Sequence, residues 1–563
     1  MNKISFIFPL IIILIVGCIS QKEQIYTPNT NINNNEDIRI AWDYSSIQQL
    51  ADRGGYPRLY RLKDSSIVVV YEDYRGNCAL IRSYDEGKTW STPFLIFEQI
   101  QFSDGKERTT INMANPEIIQ LDNGDIIVAC NYRPRRAEIT PFSIAIRRST
   151  DYGKSWEKQQ ILYEAEPRFK DGCWEPSFLQ LPNGELQIYF ANEKPYTESD
   201  EQEISVMSST DYGKTWSDIR MVSFRKNRRD GMPVARIIND EIVAVIEDNN
   251  KDQFKPYTVR NKIPDNWANP VLSDSPKREY ALVEGIPDSV YMGAPYLLVL
   301  PSGYTLISYQ SNENRQSNWE LSTMEVAIGN REARNFHRRT QPFPVPLDKE
   351  AKWNSIALWD ESTVVALASS NFRSRQIAPH LIKGYIIPDK IVCPEKGKEG
   401  ANYPLFIGSQ NNTNMRIGLE KNKENLYIKC KVNDSILVTP TSELENGDVI
   451  SIYLDATGQP LLNSKDKTYK IVCSYNGDYK IWKNNYGKWE LASRSPIKSN
   501  SIRTDSGYEI ELSIPFKELA GFNDQHLKFC ASLSTFTTPD NGYTETLIHC
   551  ETSLPDTWLT VEF

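Results

Sequence analysis

The chain has 563 residues, with 73 acidic against 64 basic side chains, a formal net charge of −9, four histidines and nine cysteines. The acidic balance argues against a nucleic-acid partner, which would ask for a basic face. Four histidines leave little from which to build a histidine metal centre or a Ser-His-Asp triad, and the widely spaced cysteines contain no CxxC pair, so neither a metal nor a cofactor is expected and any disulfides stay illegible.

The N-terminus, MNKISFIFPLIIILIVGC, has one lysine, an apolar stretch from Ile4 to Val16, then Gly17 and Cys18. That is the layout of a secretory signal, and the apolar stretch is short for a membrane span. Its ending, Ile15-Val16-Gly17-Cys18, resembles a bacterial lipobox, which implies that Cys18 is acylated and becomes the new N-terminus. The expectation is a monomer held by its lipid at the outer membrane, on the periplasmic or cell-surface face. Residues 19–37 are polar and Asn-rich, as suits a flexible tether. What remains exceeds a single core, so two domains are expected.

From Tyr56 onward one phrase recurs: YPRLYRLKDSSIVVVY, NPEIIQLDNGDIIVAC from Asn115, EPSFLQLPNGELQIYF from Glu175, MPVARIINDEIVAVIE from Met232 and APYLLVLPSGYTLISY from Ala294. A sixth copy, NSIALWDESTVVALA from Asn354, lacks the proline. Each copy is a short strand, a polar or glycine turn and a β-branched strand. Copies at about 60-residue intervals predict an all-β chain opening with a six-bladed β-propeller over 38–388. A second repeat, SYDEGKTW, STDYGKSW and STDYGKTW, resembles the Asp-box of sialidases and related propeller glycosidases. Its Asp and Ser can bond nearby backbone N–H groups and its Gly permits positive φ, so Asp85, Asp151 and Asp211 read as structural.

First strands of propeller blades line the axis, so equivalent positions form a ring. Before the shared proline stand Tyr56, Asn115, Glu175, Met232, Ala294 and, in this alignment, Asn354. Glu175 is the one carboxylate among them, where burial and a chosen partner can set its pKa. One blade on, Glu247 is expected to close the second strand of blade 4, with Asp248 beside it as an alternative. Two converging carboxyls are the equipment of glycoside hydrolysis.

With these phrases in view, GCWEPSFLQLPNGELQIYFANE, GGYPRLYRLKD, MANPEIIQLDNGDIIVACNYRP and YMGAPYLLVLPSGYTLISYQ resemble glycoside hydrolase family 93 over about residues 40 to 388. The resemblance implies a retaining exo-acting α-L-arabinanase, with Glu175 and Glu247 as the catalytic pair and an oligo- or polysaccharide as substrate. Which of the two is nucleophile stays open. Arg58, Asn115, Trp174, Arg229, Asp230, Tyr291 and Gln310 fall at the blade mouths and are the candidate substrate-binding residues. The insertions QFSDGKERTTINMA and RNKIPDNWANPVLSDSPKREYALVEGIPDSVYMG are candidates for blocking one end of the channel. Two alternatives stand: a sialidase, which needs three arginines on a carboxylate plus a Tyr nucleophile with a Glu, and a non-catalytic glycan-binding lipoprotein.

After YIIPDKIVCPEKGKEGANY the phrase stops. LYIKCKVND, DVISIYLDA, YKIVCSY and YEIELSIPF alternate in the manner of strands and predict a β-sandwich over 389–563. These phrases resemble family 9-like carbohydrate-binding modules. Tyr453, Trp482 and Trp489 are the aromatics available for stacking on sugar, with core packing as their alternative use and a structural cap as the alternative role of the domain.

Overall fold

The computed structural model describes residues 38–563 except positions 137, 284, 389, 398–402, 409–412, 440–442, 459–466, 486–487, 493–495, 537–543 and 549–557. The signal, Cys18 and the tether lie outside the described residues.

Six antiparallel sheets form a ring of blades. Their inner strands are Gly54–Arg61, Arg108–Gln120, Cys173–Gln180, Asp230–Ile238, Met292–Val299 and Ala351–Leu358. Their second strands are Ile67–Asp73, Ile126–Pro134, Leu186–Asn192, Glu241–Lys251, Thr305–Ser311 and Thr363–Ser370. These second strands are apolar on both faces because each lies between neighbouring blades: Ile67, Val68, Val69, Val70 and Tyr71 are all buried. The ring closes on itself. Ile38–Gln49, the first described strand, is the outer strand of blade 6 and runs antiparallel to Ala378–Pro388, with Ile38 opposite Pro388.

Both insertions have structural duties. The first folds as a hairpin, Ile100–Ser103 against the start of Arg108–Gln120, and stands where the inner strand of blade 2 enters the ring. The second supplies Arg278–Tyr280, the outer strand of blade 4, and buries Trp267, whose Nε1 donates to Tyr189 at 2.9 Å. It is anchored to the core at Trp267, Val271, Arg278, Ala281 and Leu282, while much of the rest is exposed.

The Asp-boxes follow the third strands. Asp211 accepts from Thr215 N at 2.9 Å and Thr215 Oγ1 at 2.7 Å, and Ser209 Oγ accepts from Gly213 N at 2.9 Å. Tyr212 and Gly213 take positive φ, as such a turn demands. Inner strands descend from the ring of proline phrases and second strands return to it. Third strands descend again, which puts every Asp-box at the opposite end.

The C-terminal region is a two-sheet sandwich. One sheet orders Leu405–Gly408, Asn414–Lys421, Asn425–Asn433, Gly507–Pro515 and Lys498–Thr504; Val449–Asp455, Thr468–Ser474 and His526–Phe536 belong to the other. Alternate residues of Asn425–Asn433 are buried, as expected for a half-buried strand. Its core takes in Ala41, Tyr385 and Ile387 from the closing strands of blade 6, so propeller and sandwich share apolar packing. Tyr453 lies against Trp558 and Trp489, with ring centroids 5.9 and 6.4 Å away.

Candidate active site

Every inner strand carries the same defect at the same place. Pairing with the second strand slips between Gly55 and Arg58, Ala114 and Glu117, Trp174 and Ser177, Gly231 and Val234, Gly293 and Tyr296, and Lys352 and Ser355. The first residue inside each slip has positive φ: Tyr56, Asn115, Glu175, Met232, Ala294 and Trp353, at 48° to 56°. None is glycine, so each holds a conformation costing about 1–3 kcal/mol that the surrounding ladder must impose. Proline follows in five copies and fits because a bulge leaves one strand N–H without a ladder partner. The sixth ring residue is therefore Trp353, not Asn354, which occupies the proline position. A bulge re-aims its side chain, and here the six converge on the axis: Tyr56, Met232 and Ala294 pack together with Trp353 against them. Glu175 enters that cluster of apolar neighbours.

Glu247 reaches the same place from the second strand of blade 4. The strand does not end there but continues to Lys251, pairing with Gln253–Lys262. Ala294 N donates to Glu247 Oε2 at 2.8 Å. Glycines make its room: a Cβ on Gly231 would stand 2.8 Å from Oε1, and one on Gly293 2.6 Å from Oε2. The Ala294 bond belongs to a pattern in which a second-strand side chain ties down the next blade's bulge. Ser369 Oγ accepts from Tyr56 N and Gln310 Oε1 from Trp353 N, each at 2.7 Å.

Burial pushes the Glu175 carboxyl up to about 8, helped by the Glu247 charge and opposed by Arg133 and Arg229. Burial likewise raises Glu247 to about 7, against the Ala294 N–H and Arg229. Glu175 thus feels the Glu247 charge in a poorly solvated site.

Around them, Trp174 is fixed by its Nε1 donating to Glu193 Oε2 at 2.7 Å, and its ring centroid lies 4.9 Å from those of Phe142 and Phe169. Arg229 pairs with Glu193 and donates to Gln202. Tyr291 OH accepts from Gln310 Nε2 at 2.9 Å, and its ring faces Trp319, itself 6.3 Å from Trp353. Asn115 is buried with Oδ1 lacking a hydrogen-bond partner. A cavity of about 560 Å³ opens beside Glu175, lined by Tyr56, Glu72, Asn115, Arg133 and Trp353 among others.

Three sequence candidates are engaged elsewhere. Asp230 is fully buried, its oxygens taken by Arg278 at 2.6 and 2.8 Å and Ser223 Oγ at 2.7 Å. Asp248 joins it, gripped by Arg225 and Arg278, so neither is free for a sugar or for Glu247's role. Arg58 sits beneath the ring, under Tyr56 and 3.3 Å from Glu117. Its position follows the bulge, where the side chain turns down the axis rather than into the mouth. Conversely, Glu72, Arg133, Glu193 and Trp353 went unread in the sequence. Glu72 lies near the end of its second strand at the place Glu247 holds in blade 4, so the same repeat alignment, extended one strand, finds it; Glu193 follows the second strand of blade 3, outside that alignment. Among the described residues no cluster of three or more His, Cys, Asp or Glu stands ready to hold a metal ion.

Comparison with known proteins agrees with this architecture. Residues 35–286 match the BNR repeat-like domain, and residues 407–559 match the carbohydrate family 9 binding domain-like family. No curated protein matches the chain. Among solved structures, it is similar to the α-L-arabinofuranosidase of Fusarium graminearum in complex with an iminosugar inhibitor, at 16% identity over 61% of this chain and 96% of that one, TM-score 0.44. It is similar to the NanB sialidase of Streptococcus pneumoniae at 12% identity, covering 62% and 70%, TM-score 0.43. A family 9 carbohydrate-binding module from Caldicellulosiruptor kristjanssonii in complex with cellotriose matches at 13% identity, covering 31% of this chain and 92% of the module, TM-score 0.25. The chain therefore carries a BNR repeat-like domain within a six-bladed β-propeller, followed by a carbohydrate family 9 binding domain-like β-sandwich.

Proposed function

We propose that this protein is a retaining, exo-acting glycoside hydrolase on α-linked L-arabinofuranose chains. The observation that carries the hydrolase reading is the pair Glu175 and Glu247, two buried carboxyls raised to about 8 and about 7 at one end of the propeller axis, the first also by the charge of the second. Their order suggests roles. Glu247, held by the Ala294 N–H and the lower of the two, is the carboxylate; Glu175, the higher, keeps its proton. Glu175 then protonates the glycosidic oxygen as Glu247 attacks the anomeric carbon and the leaving alcohol departs. In the second step Glu175 takes a proton from water, which displaces Glu247 and frees the sugar. The resemblance of the blade phrases to glycoside hydrolase family 93 supports arabinofuranose, and the hairpin at 100–112 beside the mouth supports exo action.

Incubation with linear 1,5-arabinan, a sialyl-oligosaccharide and a branched plant glycan tests this. Release of one short product from arabinan is expected, with retained anomeric configuration by NMR. A ladder of oligosaccharides refutes exo action. Sugar binding without turnover leaves a glycan-binding protein.

One observation favours a second reading. Tyr291 lies close enough to Glu247 to feel its charge, and sialidases use a tyrosine with a glutamate. Burial, however, raises the Tyr291 phenol well above its ordinary value, the wrong direction for a nucleophile. Tyr291→Phe is expected to keep measurable turnover; its complete loss, with free sialic acid released by the parent, would reverse the assignment.

For location, the proposal is lipid anchoring at Cys18 on the outer membrane. A Cys18→Ala variant should leave the membrane fraction.

A further inference from the structure

The cavity beside Glu175 holds chemistry that the two acids do not use. Glu72 stands opposite Gly55 in blade 1, the place that Glu247 holds opposite Gly231 in blade 4. Its carboxyl is turned toward the backbone N–H of the next blade's bulge residue, Asn115, which acts to lower its pKa. Glu72 is half-buried in the cavity wall.

Arg133 shares the cavity wall with Glu72 and Glu175, and its charge acts on both. Its guanidinium lies over Trp174 and Phe169, 5.3 and 5.4 Å from the ring centroids, a placement that orients the plane without using its N–H groups. Asn115 adds a buried acceptor, Oδ1, with no partner in the protein. Asp73, also in the wall, is not available: it holds a turn by accepting from Arg75 N and Asn77 N at 2.8 and 2.9 Å. Arg53 and Arg375 are exposed at the rim, Arg53 over the Tyr74 ring.

We propose that Glu72, Asn115 and Arg133 form a subsite reading the hydroxyls of a neutral sugar on the blade 1–blade 2 side of Glu175, with Glu72 its specificity-determining residue. Two acceptors beside one donor group complement adjacent hydroxyls, each of which can donate to an acceptor and accept from the guanidinium. A carboxylate on the ligand has no hydrogen for Asn115 Oδ1 and would face Glu72, so an acidic sugar is disfavoured. Burial raises Glu72 to about 7 despite Arg133, which lets it serve as acceptor or donor near neutrality. The inference rests on the glycosidase reading only in naming the ligand a sugar.

The test is sugar binding by the full chain carrying Glu175→Gln, followed by NMR with L-arabinose, D-galactose and N-acetylneuraminic acid. A neutral sugar should bind and N-acetylneuraminic acid should not. Adding Glu72→Ala should weaken neutral-sugar binding roughly ten- to hundredfold. Glu72→Gln keeps an acceptor for Asn115 N–H, and with it the fold, and should weaken binding several-fold at unchanged Tm. Preference for N-acetylneuraminic acid, binding of no probe, or binding indifferent to both Glu72 variants would each overturn the proposal. Turnover by the parent is read separately. Glu72-dependent binding without hydrolysis of any glycoside sinks the glycosidase reading and leaves the subsite; hydrolysis with Glu72-independent binding does the reverse.

Discussion

Glu175 and Glu247 are costly residues for the fold. A carboxyl whose folded pKa lies above its unfolded value of about 4.3 binds a proton more tightly when folded, so stability is present at low pH and lost as pH rises. With folded values of about 8 and about 7, the loss accrues from roughly pH 4 up to those values. Glu175→Gln should therefore raise Tm, with a gain that grows between pH 5 and 8 by calorimetry, while lowering turnover by about 10²–10⁴-fold. The same two groups set an activity profile. Turnover needs Glu247 ionised and Glu175 protonated, so kcat/KM should peak between about 7 and about 8. It should fall to the acid side as Glu247 takes a proton and to the alkaline side as Glu175 loses one. A flat profile from pH 5 to 9 would remove both roles.

At the scale of elements, blade 4 is held by charge as well as by its ladder. Arg278, on the outer strand, bridges Asp230 on the inner strand and Asp248 on the second strand, at 2.6 and 2.7 Å, and all three are buried. Arg278→Ala leaves the buried Asp230 without a cationic partner, while Asp248 keeps Arg225, and should cost about 3–5 kcal/mol by urea denaturation. Glycines at the bulge act differently. Gly293→Ala sets a methyl against Tyr291 OH and Glu247 Oε2 without touching the ladder, displacing both, so turnover should fall at least tenfold. The repeat made these blades legible. Asp230 was misread because a carboxylate at a blade mouth looks available in sequence, whereas its arginine partner arrives from an insertion 48 positions later.

Across the whole molecule, two devices hold the ends. The strand Ile38–Gln49 completes blade 6, and its Trp42 is buried with Nε1 donating to Thr340 Oγ1 of blade 5 at 3.0 Å. Trp42→Ala should cost about 3–5 kcal/mol. Ile387 lies on the same closing sheet but packs into the sandwich core. Ile387→Ala should cost about 2–5 kcal/mol and lower the melting of propeller and sandwich together, by calorimetry. Separate melting with only one transition moved would mean that the shared packing is not cooperative.

Repeats, turn residues and apolar alternation are local and additive, so the sequence by itself determined the all-β class, the blade count, the Asp-boxes and the sandwich. Periodicity also placed Glu175 on the axial ring, since equivalent positions in a closed ring must face one another. Only the tertiary structure decided which ring residue blade 6 supplies, because Trp353 is recognised by its backbone conformation and not by a proline. It alone separated Glu247 from its neighbour Asp248, and brought Glu72, Arg133 and Glu193 to the mouth. Those choices depend on which partners arrive from other blades, and a charge in a chain has no fixed role until burial and a counter-charge assign it one.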